Sequence, residues 1–218
     1  MQSEPGRGRT AVVVIDMLND FVTGPLGCDR AERIVPRLGS LLDRARAKGV
    51  PVIYLCDAHR KGVDRELDIW GDHAIAGTAG ADVIPELAPR PGDHVVRKRR
   101  YSGFHGTDLD MLLRELRVDR LVITGMQAHI CVRHTAADAF FRGYGVTVPS
   151  DGIEAFTDEI LQRELDYLRE MYDAEISTAD RIAEGFRSPS QRSLSATPYR
   201  DVWTDASRPS DSTWTERS

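Results

Sequence analysis

Three residues that could carry out nucleophilic chemistry stand at the ends of predicted strands: Asp16, Lys98 and Cys131. Cys131 follows a strand and a glycine at the expected start of a helix, where N–H groups and the helix dipole favour a thiolate. A thiol nucleophile needs a base that takes its proton and returns it to a leaving group, and a tuned carboxylate can do this. A lysine between them favours both anionic partners. Because parallel strands end at one edge of a sheet, the three residues predict a cysteine-dependent active site there.

Each of these residues also has a plainer explanation when it is taken singly. An aspartate after a strand commonly makes a turn or helix cap, and a free cysteine is at least as often a small buried hydrophobe. Cys28 and Cys56 are given this second interpretation, since Cys28 lies in a Gly/Pro loop and Cys56 lies inside a strand pattern. The coincidence of three such groups on three strands is what favours catalysis.

A second group of residues consists of Asp57, His59 and the later His73. Two imidazoles and a carboxylate at the mouth of a sheet suit a divalent metal such as zinc, iron or manganese. The Asp-x-His spacing alone is a weak signal, because most lone histidines lie at the surface or form hydrogen bonds in the core. On these residues alone, a metal site and a structural role both remain open.

Apolar segments of strand length alternate with helical patterns along the chain. The predicted strands are 11–17, 51–57, 94–98, 121–125, 145–151 and 174–180, and the predicted helices are 31–48, one from Thr107, one from near Cys131 to Gly143, and 157–172. Repeated β-α units predict a three-layer α/β/α fold around a mostly parallel six-stranded sheet. Residues 1–186 are expected to form this domain. Residues 187–218 are rich in Ser, Thr and Pro and predict a tail that is disordered, or that docks on its own domain or a neighbouring subunit through Trp203 and Trp214.

Composition argues against several classes of function. The net charge of −5 argues against a nucleic-acid partner, although four cations are consecutive at 97–100. No segment approaches the roughly 18 apolar residues of a membrane helix, and the N-terminus lacks the apolar core of a signal peptide. The three cysteines suggest no disulfide framework. We therefore expect a cytoplasmic protein with no membrane partner. The first strand is followed by DMLNDF and not by a glycine-rich loop, and no strand leads into G-x-S-x-G. A dinucleotide site and a serine hydrolase are therefore disfavoured.

Within the basic run, only Lys98 is expected to face the strand-end crevice. Period-two alternation places Arg97 and Arg99 on the opposite face, as solvated or subunit-bridging side chains. The turn that follows is expected to carry Tyr101 and Phe104 over the pocket.

Three segments together resemble the isochorismatase-like cysteine hydrolases, most closely the nicotinamidase branch, over about residues 10 to 180. The family's opening strand is similar to VVVIDMLNDF, its lysine segment to KRRYSGFHGTDLDMLLRELRVDRLVITG, and its nucleophile segment to GMQAHICVRHTAADAFFRGYGVTV. The order and spacing of the three are far more specific than any single segment. The resemblance implies hydrolysis of a small amide through a thioester intermediate, and a homo-oligomer, either a dimer or a tetramer.

The resemblance also assigns roles to individual residues. It implies Asp16 as general base, Lys98 as bridging cation and Cys131 as nucleophile. It implies an oxyanion hole formed by the main-chain N–H groups of Gln127 and Cys131, with a cis peptide bond between Met126 and Gln127.

The nicotinamidase branch binds a metal through an Asp-x-His pair and a later His that is preceded by Trp three residues earlier. Asp57, His59, Trp70 and His73 match this pattern in place, so the resemblance implies a divalent metal, zinc before iron or manganese. The residues expected to bind substrate are Phe21, Trp70, Tyr101, Phe104 and His129.

Differences from the family pattern lie around the substrate pocket. Leu18 stands where the family usually has Gln, Ala128 where it has Thr, and His129 follows. Nicotinamide, giving nicotinate and ammonia, is the first hypothesis. A carbamoyl compound, maleamate or a cyclic amide, as in streptothricin hydrolases, is the alternative. Cys131 argues against an isochorismatase-type vinyl-ether hydrolase, which lacks the thiol, and a non-catalytic interaction protein is a third hypothesis.

Overall fold

The first strand, β1 (Arg9–Ile15), lies in the middle of the sheet because its residues are almost all apolar. Residues 11–15 are at most 1% exposed, so both faces of the strand are covered. The computed structural model describes residues 9–187, and the predicted tail from 188 onward, with Trp203 and Trp214, lies outside them. The other strands are β2 (Val52–Asp57), β3 (His94–Lys98), β4 (Val118–Gly125), β5 (Gly145–Pro149) and β6 (Glu175–Ser177).

The strands form one sheet in the order β3-β2-β1-β4-β5-β6, and every neighbouring pair is parallel. The prediction of a mostly parallel six-stranded sheet is confirmed. The order changes direction at β1, whose neighbours β2 and β4 continue to opposite edges of the sheet. In such sheets the crevice for a ligand lies at the carboxyl ends of the strands beside this change of direction.

Helices cover both faces of the sheet. They are α1 (Asn19–Val22), α2 (Ala31–Ala47), α3 (Glu66–Trp70), α4 (Leu109–Glu115), α5 (Arg133–Phe141), α6 (Asp158–Tyr172) and α7 (Ala179–Glu184). The connection 58–93 contains α3 and two 3₁₀ turns, Ala79–Ala81 and Pro85–Leu87, and a π-helical turn, Ala128–Val132, precedes α5. No helix in residues 9–187 is both long and apolar enough to cross a membrane.

Side-chain alternation along β1 divides the core into two halves. Val13 and Ile15 pack with apolar side chains of α4, α5 and α6, whereas Val12 and Val14 pack with those of α2 and α7. Because successive strand side chains point to opposite faces, one strand supplies both halves. The predicted three layers, helices on each side of a sheet, are confirmed.

Candidate active site

Asp16 lies directly after β1, at the central carboxyl edge of the sheet. Its φ of 50° is in the left-handed region, which aspartate tolerates better than most non-glycine residues. This backbone turn directs the carboxylate into the crevice, where Oδ1 accepts the Asp57 N–H at 2.9 Å and Oδ2 lies 2.8 Å from Lys98 Nζ. The side chain is only 2% exposed.

Lys98 ends β3, and its fully buried side chain reaches across the strand ends. Its Nζ lies 2.6 Å from Asp57 Oδ1 and 3.5 Å from Cys131 Sγ, in addition to its ion pair with Asp16. Burial lowers the pKa of Lys98, but the charges of Asp16 and Asp57 outweigh burial and raise the pKa well above 10.5. Lys98 is therefore expected to carry its positive charge between two carboxylates and a thiol.

Cys131 lies in the π-helical turn that follows β4, and the residue is 7% exposed. Its Sγ and carboxylate oxygens of Asp16 and Asp57 all lie within 4.8 Å of one another. Burial raises the pKa of the Cys131 thiol well above 9, although Lys98 opposes this effect. Burial, followed by the charge of Asp57, raises the pKa of Asp16 to about 6. A neutral thiol thus faces a carboxylate that is able to accept a proton near neutral pH.

Gly125 connects β4 to the turn that precedes Cys131. Its φ is 99°, and a Cβ built on it would lie 2.1 Å from the carbonyl oxygen of Ile15. The close approach of β1 and β4 at this point therefore requires glycine. The Gly125 N–H is bound by the carbonyl of Gly152, at 2.9 Å.

The peptide bond between Met126 and Gln127 is cis, as predicted. The Met126 N–H donates to Ile15 O at 3.0 Å, and the N–H of Ala128 donates to Glu154 O at 2.8 Å, so the turn is held on both sides. The Gln127 N–H has no backbone acceptor within the part of the chain that the structure describes. It is thus available to a ligand near Cys131.

The predicted metal ligands Asp57, His59 and His73 lie together. One donor atom from each lies within 4.8 Å of those of the other two, and all three residues are buried. His73 Nδ1 lies 2.7 Å from Gly71 O, a contact in which Nδ1–H donates and Nε2 retains its lone pair. His59 Nε2 is buried without a hydrogen-bond partner, 3.6 Å from Asp57 Oδ2. Two nitrogens and a carboxylate oxygen, one of them unpartnered, fit a divalent metal such as zinc.

Glu66, the first residue of α3, is a further candidate donor that sequence reasoning missed. Its Oε2 lies 3.8 Å from His59 Nε2, and it lines the same cavity. Burial and the charge of Asp57 raise the pKa of Glu66 to about 7. Burial would lower the pKa of His59, but Asp57 and Glu66 raise it overall. This concentration of negative charge favours a cation. The available signal was helical spacing, because Glu66 lies one turn before Trp70 on the same face.

A cavity of about 280 Å³ opens beside Cys131. Three of the predicted substrate-binding residues, Phe21, Trp70 and Tyr101, line it, and Trp70 Nε1 donates to the Tyr101 hydroxyl at 3.1 Å. Sequence reasoning missed the remaining apolar lining residues, which are Pro25, Leu26, Met126, Ile130 and Phe156.

The structure does not place Phe104 or His129 in the lining of this cavity. Phe104 is 6% exposed and stacks on Tyr144 in the core, because the turn after β3 lines the pocket at Tyr101 but is bound to Thr135 of α5 at Gly103. His129 packs edge-on against Phe156, with ring centroids 5.1 Å apart, and only Phe156 reaches the cavity. The expectation that both residues would contact substrate directly is not supported by this arrangement.

The family model described as the isochorismatase domain matches residues 10–180. The chain belongs to the isochorismatase family. Within that family, it superposes on N-carbamoylsarcosine amidase from Thermoplasma acidophilum with a TM-score of 0.75 and 41% identity, covering 79% of this chain and 97% of that one.

Two further solved structures that are similar to this chain carry nicotinamidase or pyrazinamidase names. Nicotinamidase PncA from Bacillus subtilis has a TM-score of 0.74 and 29% identity, covering 78% of this chain and 99% of that one. Pyrazinamidase of Pyrococcus horikoshii, solved in complex with zinc, has a TM-score of 0.73 and 26% identity, with coverage of 78% and 99%. The predicted family and fold are thus confirmed, and the chain is an isochorismatase-family enzyme among amidohydrolases.

Proposed function

We propose that the protein hydrolyses a small uncharged amide, with nicotinamide as the first candidate, through a thioester on Cys131. The observation that carries the proposal is the contact of Lys98 Nζ with Asp16, Asp57 and Cys131 at the floor of one cavity. The similarity of this chain to the structures of a nicotinamidase and an N-carbamoylsarcosine amidase supports amide hydrolysis as the reaction class.

In the first half of the reaction, Asp16 takes the thiol proton as Sγ forms a bond to the amide carbon. The C=O π electrons move to oxygen, and the resulting oxyanion lies against the N–H groups of Gln127 and Cys131. Collapse of this intermediate breaks the C–N bond while Asp16 returns the proton to nitrogen, so that ammonia leaves and a thioester remains.

In the second half, after ammonia has left, a water molecule attacks the carbonyl carbon of the thioester. Asp16 takes a proton from the water as its oxygen attacks the thioester, and the same N–H groups bind the second oxyanion. The C–S bond then breaks, and the proton returns to sulfur. The sum is amide plus water giving carboxylic acid plus ammonia, with the enzyme regenerated.

The residues beside the triad fit a metal-containing version of this site. Asp57, His59 and His73, with Glu66 as a further donor, would hold a divalent cation at the cavity wall. Zinc is preferred for this donor set, and such an ion supplies Lewis acidity and positive charge near the substrate. Lys98 holds Asp57 in place from the opposite side through the contact with Oδ1.

The charges that line the cavity favour a neutral substrate. Asp16, Asp57 and Glu66 line it, and none of its lining residues in the described range 9–187 is lysine or arginine. Lys98 is already paired with Asp16 and Asp57. A bound divalent metal would be neutralised by Asp57 and Glu66. The site therefore has no excess positive charge to offset the repulsion of a substrate carboxylate. Phe21 and Trp70 offer aromatic surfaces to a flat ring. These features favour nicotinamide over maleamate.

A carbamoyl compound is the second candidate, because the N-carbamoylsarcosine amidase structure has 41% identity to this chain. Ammonia release from nicotinamide, N-carbamoylsarcosine and maleamate would separate the candidates. We expect turnover of nicotinamide and little of the two carboxylate-bearing amides. Turnover restricted to an anionic amide would contradict the proposed substrate class while leaving the mechanism intact.

The mechanism is tested by Cys131→Ala, which removes the nucleophile. Ammonia release should fall by about three orders of magnitude or more with the far-UV circular dichroism unchanged. Cys28→Ala is the matched control, because Cys28 is also a buried free thiol but lies outside the triad. Retained ammonia release in Cys131→Ala would contradict a thioester mechanism.

A further inference from the structure

Asp64 is a fully buried carboxylate outside the triad and outside the predicted metal ligands. Its side chain is 0% exposed, one oxygen accepts the Arg60 N–H at 2.8 Å, and Arg99 Nε lies 3.0 Å from both oxygens. The Arg99 side chain is partly buried against it. Buried charges are usually paired or bind a metal, and here the pairing is provided by arginine.

Besides Arg99 and a longer contact of 3.7 Å with Arg100 Nη1, Asp64 contacts a predicted metal ligand. Its Oδ2 lies 3.3 Å from Nδ1 of His59, a side chain that is also 0% exposed. When Nδ1–H donates to this carboxylate, the ring carries its lone pair at Nε2. Nε2 is the atom that lacks a hydrogen-bond partner and lies near Asp57 and Glu66.

We propose that Asp64, held by Arg99, is the positioning residue that presents His59 Nε2 to a divalent metal. The inference rests on the metal site of the proposed function and adds the two residues that orient it. A carboxylate behind a ligating imidazole fixes the ring and raises its basicity. Arg99 secures that carboxylate from a strand end that also carries Lys98, so one segment of the chain supports both the triad and the metal ligand.

The same contacts revise the expectation for the basic run. Arg99 was expected to be solvated or subunit-bridging, but it pairs with buried Asp64. Arg97 fits the expectation better, because its side chain is 50% exposed and lies 3.9 Å from the exposed carboxylate of Asp82. The chain therefore provides a surface aspartate–arginine pair of the same chemistry, with Arg97 on β3 and Asp82 in the connection 58–93.

The test is zinc affinity of the metal-stripped full-length protein, measured by competition with a chromophoric chelator, together with the visible spectrum of the Co²⁺ form. Asp64→Ala and Arg99→Ala should each weaken zinc binding, Asp64→Ala by about 10- to 100-fold, and should alter the Co²⁺ spectrum. Asp64→Asn keeps an acceptor for Nδ1–H and should lie between the parent and Asp64→Ala. The control variants Asp82→Ala and Arg97→Ala should bind zinc within about two-fold of the parent.

Unfolding temperature without metal separates positioning from a general structural role. If Asp64→Ala is destabilised but binds zinc with parental affinity and an unchanged Co²⁺ spectrum, the proposal is overturned. It is also overturned if the parent binds neither ion. If Asp64→Ala fails to fold, Asp64→Asn and Arg99→Ala test the proposal instead, and parental zinc affinity with an unchanged Co²⁺ spectrum in both would overturn it. Because none of these readouts measures ammonia release, their outcome is independent of the Cys131 test.

Discussion

The carboxylate of Asp57 is shared between two chemical systems. Oδ1 contacts Lys98 Nζ at 2.6 Å, while Oδ2 faces His59 Nε2 at 3.6 Å. Burial would raise the pKa of Asp57, but the charge and hydrogen bond of Lys98 and the charge of His59 lower it, so it is an anion in both contacts. The triad and the candidate metal site therefore meet in a single side chain.

Sequence patterns predicted those site residues that follow strands. Asp16, Asp57 and Lys98 lie together because parallel strands end at one edge, and this rule depends only on the strand pattern. Loop side chains such as Phe156 and Phe104 were missed or misplaced, because their direction is decided by tertiary packing. Phe104 turns into the core as its N–H and that of Gly103 bind side-chain hydroxyls of the neighbouring turn and α5.

The turn after β3 is anchored by Asp138 of α5, which gives a pH-dependent prediction. Its Oδ2 accepts the Ser102 hydroxyl at 2.5 Å. Burial would raise the pKa of Asp138, but hydrogen bonds from Ser102 and Arg142 lower it below 3.8. A depressed folded-state pKa gives stability that is present above the unfolded value and lost as pH falls through the folded value. The Asp138→Asn variant should therefore be less stable than the parent at pH 7.

The measurement is thermal unfolding of parent and variant from pH 7 downward. The difference in unfolding temperature should be complete at pH 7 and should narrow below about pH 4, where the unfolded-state carboxyl becomes protonated. A difference that stays constant across this range would show that Asp138 stabilises the turn by shape and not by charge.

At the scale of elements, hydrophobic patterns gave the strands and the long helices, but not the backbone around the nucleophile. A helix was predicted from near Cys131, whereas the structure has a π-helical turn, Ala128–Val132, before α5. A one-residue change in helical hydrogen bonding leaves the apolar pattern almost unchanged, so the sequence carries no clear signal for it.

The contact of Gly125 with Ile15 predicts a destabilising substitution. Gly125→Ala would add a Cβ at 2.1 Å from Ile15 O on a backbone with φ of 99°. We expect a loss of about 2 kcal/mol or more in the free energy of unfolding. Denaturant unfolding followed by circular dichroism is the measurement.

Gly39→Ala in α2 is the matched control with the opposite expected sign. A Cβ at Gly39 would have no atom within 4 Å, and alanine favours the helix by about 0.5–1 kcal/mol. Equal effects of the two substitutions would contradict the close approach of β1 and β4.

At the scale of the whole molecule, the family match over residues 10–180 coincides with the α/β domain predicted from β-α alternation. The β-α alternation was sufficient to predict the three layers, because the apolar face of each helix must be buried against a face of the sheet. The boundary at 186, the tail beyond it, the cytoplasmic location and the homo-oligomer stay predictions.

The parallel sheet has a consequence for how activity returns during refolding. Lys98 and Cys131 are 33 residues apart in the chain and meet only when β3, β2, β1 and β4 are paired in order. Such non-local pairings form late, since each requires closure of a long loop. After dilution from denaturant, ammonia release should recover no faster than the slowest phase of the far-UV signal. If ammonia release recovered before the far-UV signal of the sheet, this topology would be contradicted. The recovery of turnover therefore reports when the sheet is fully formed.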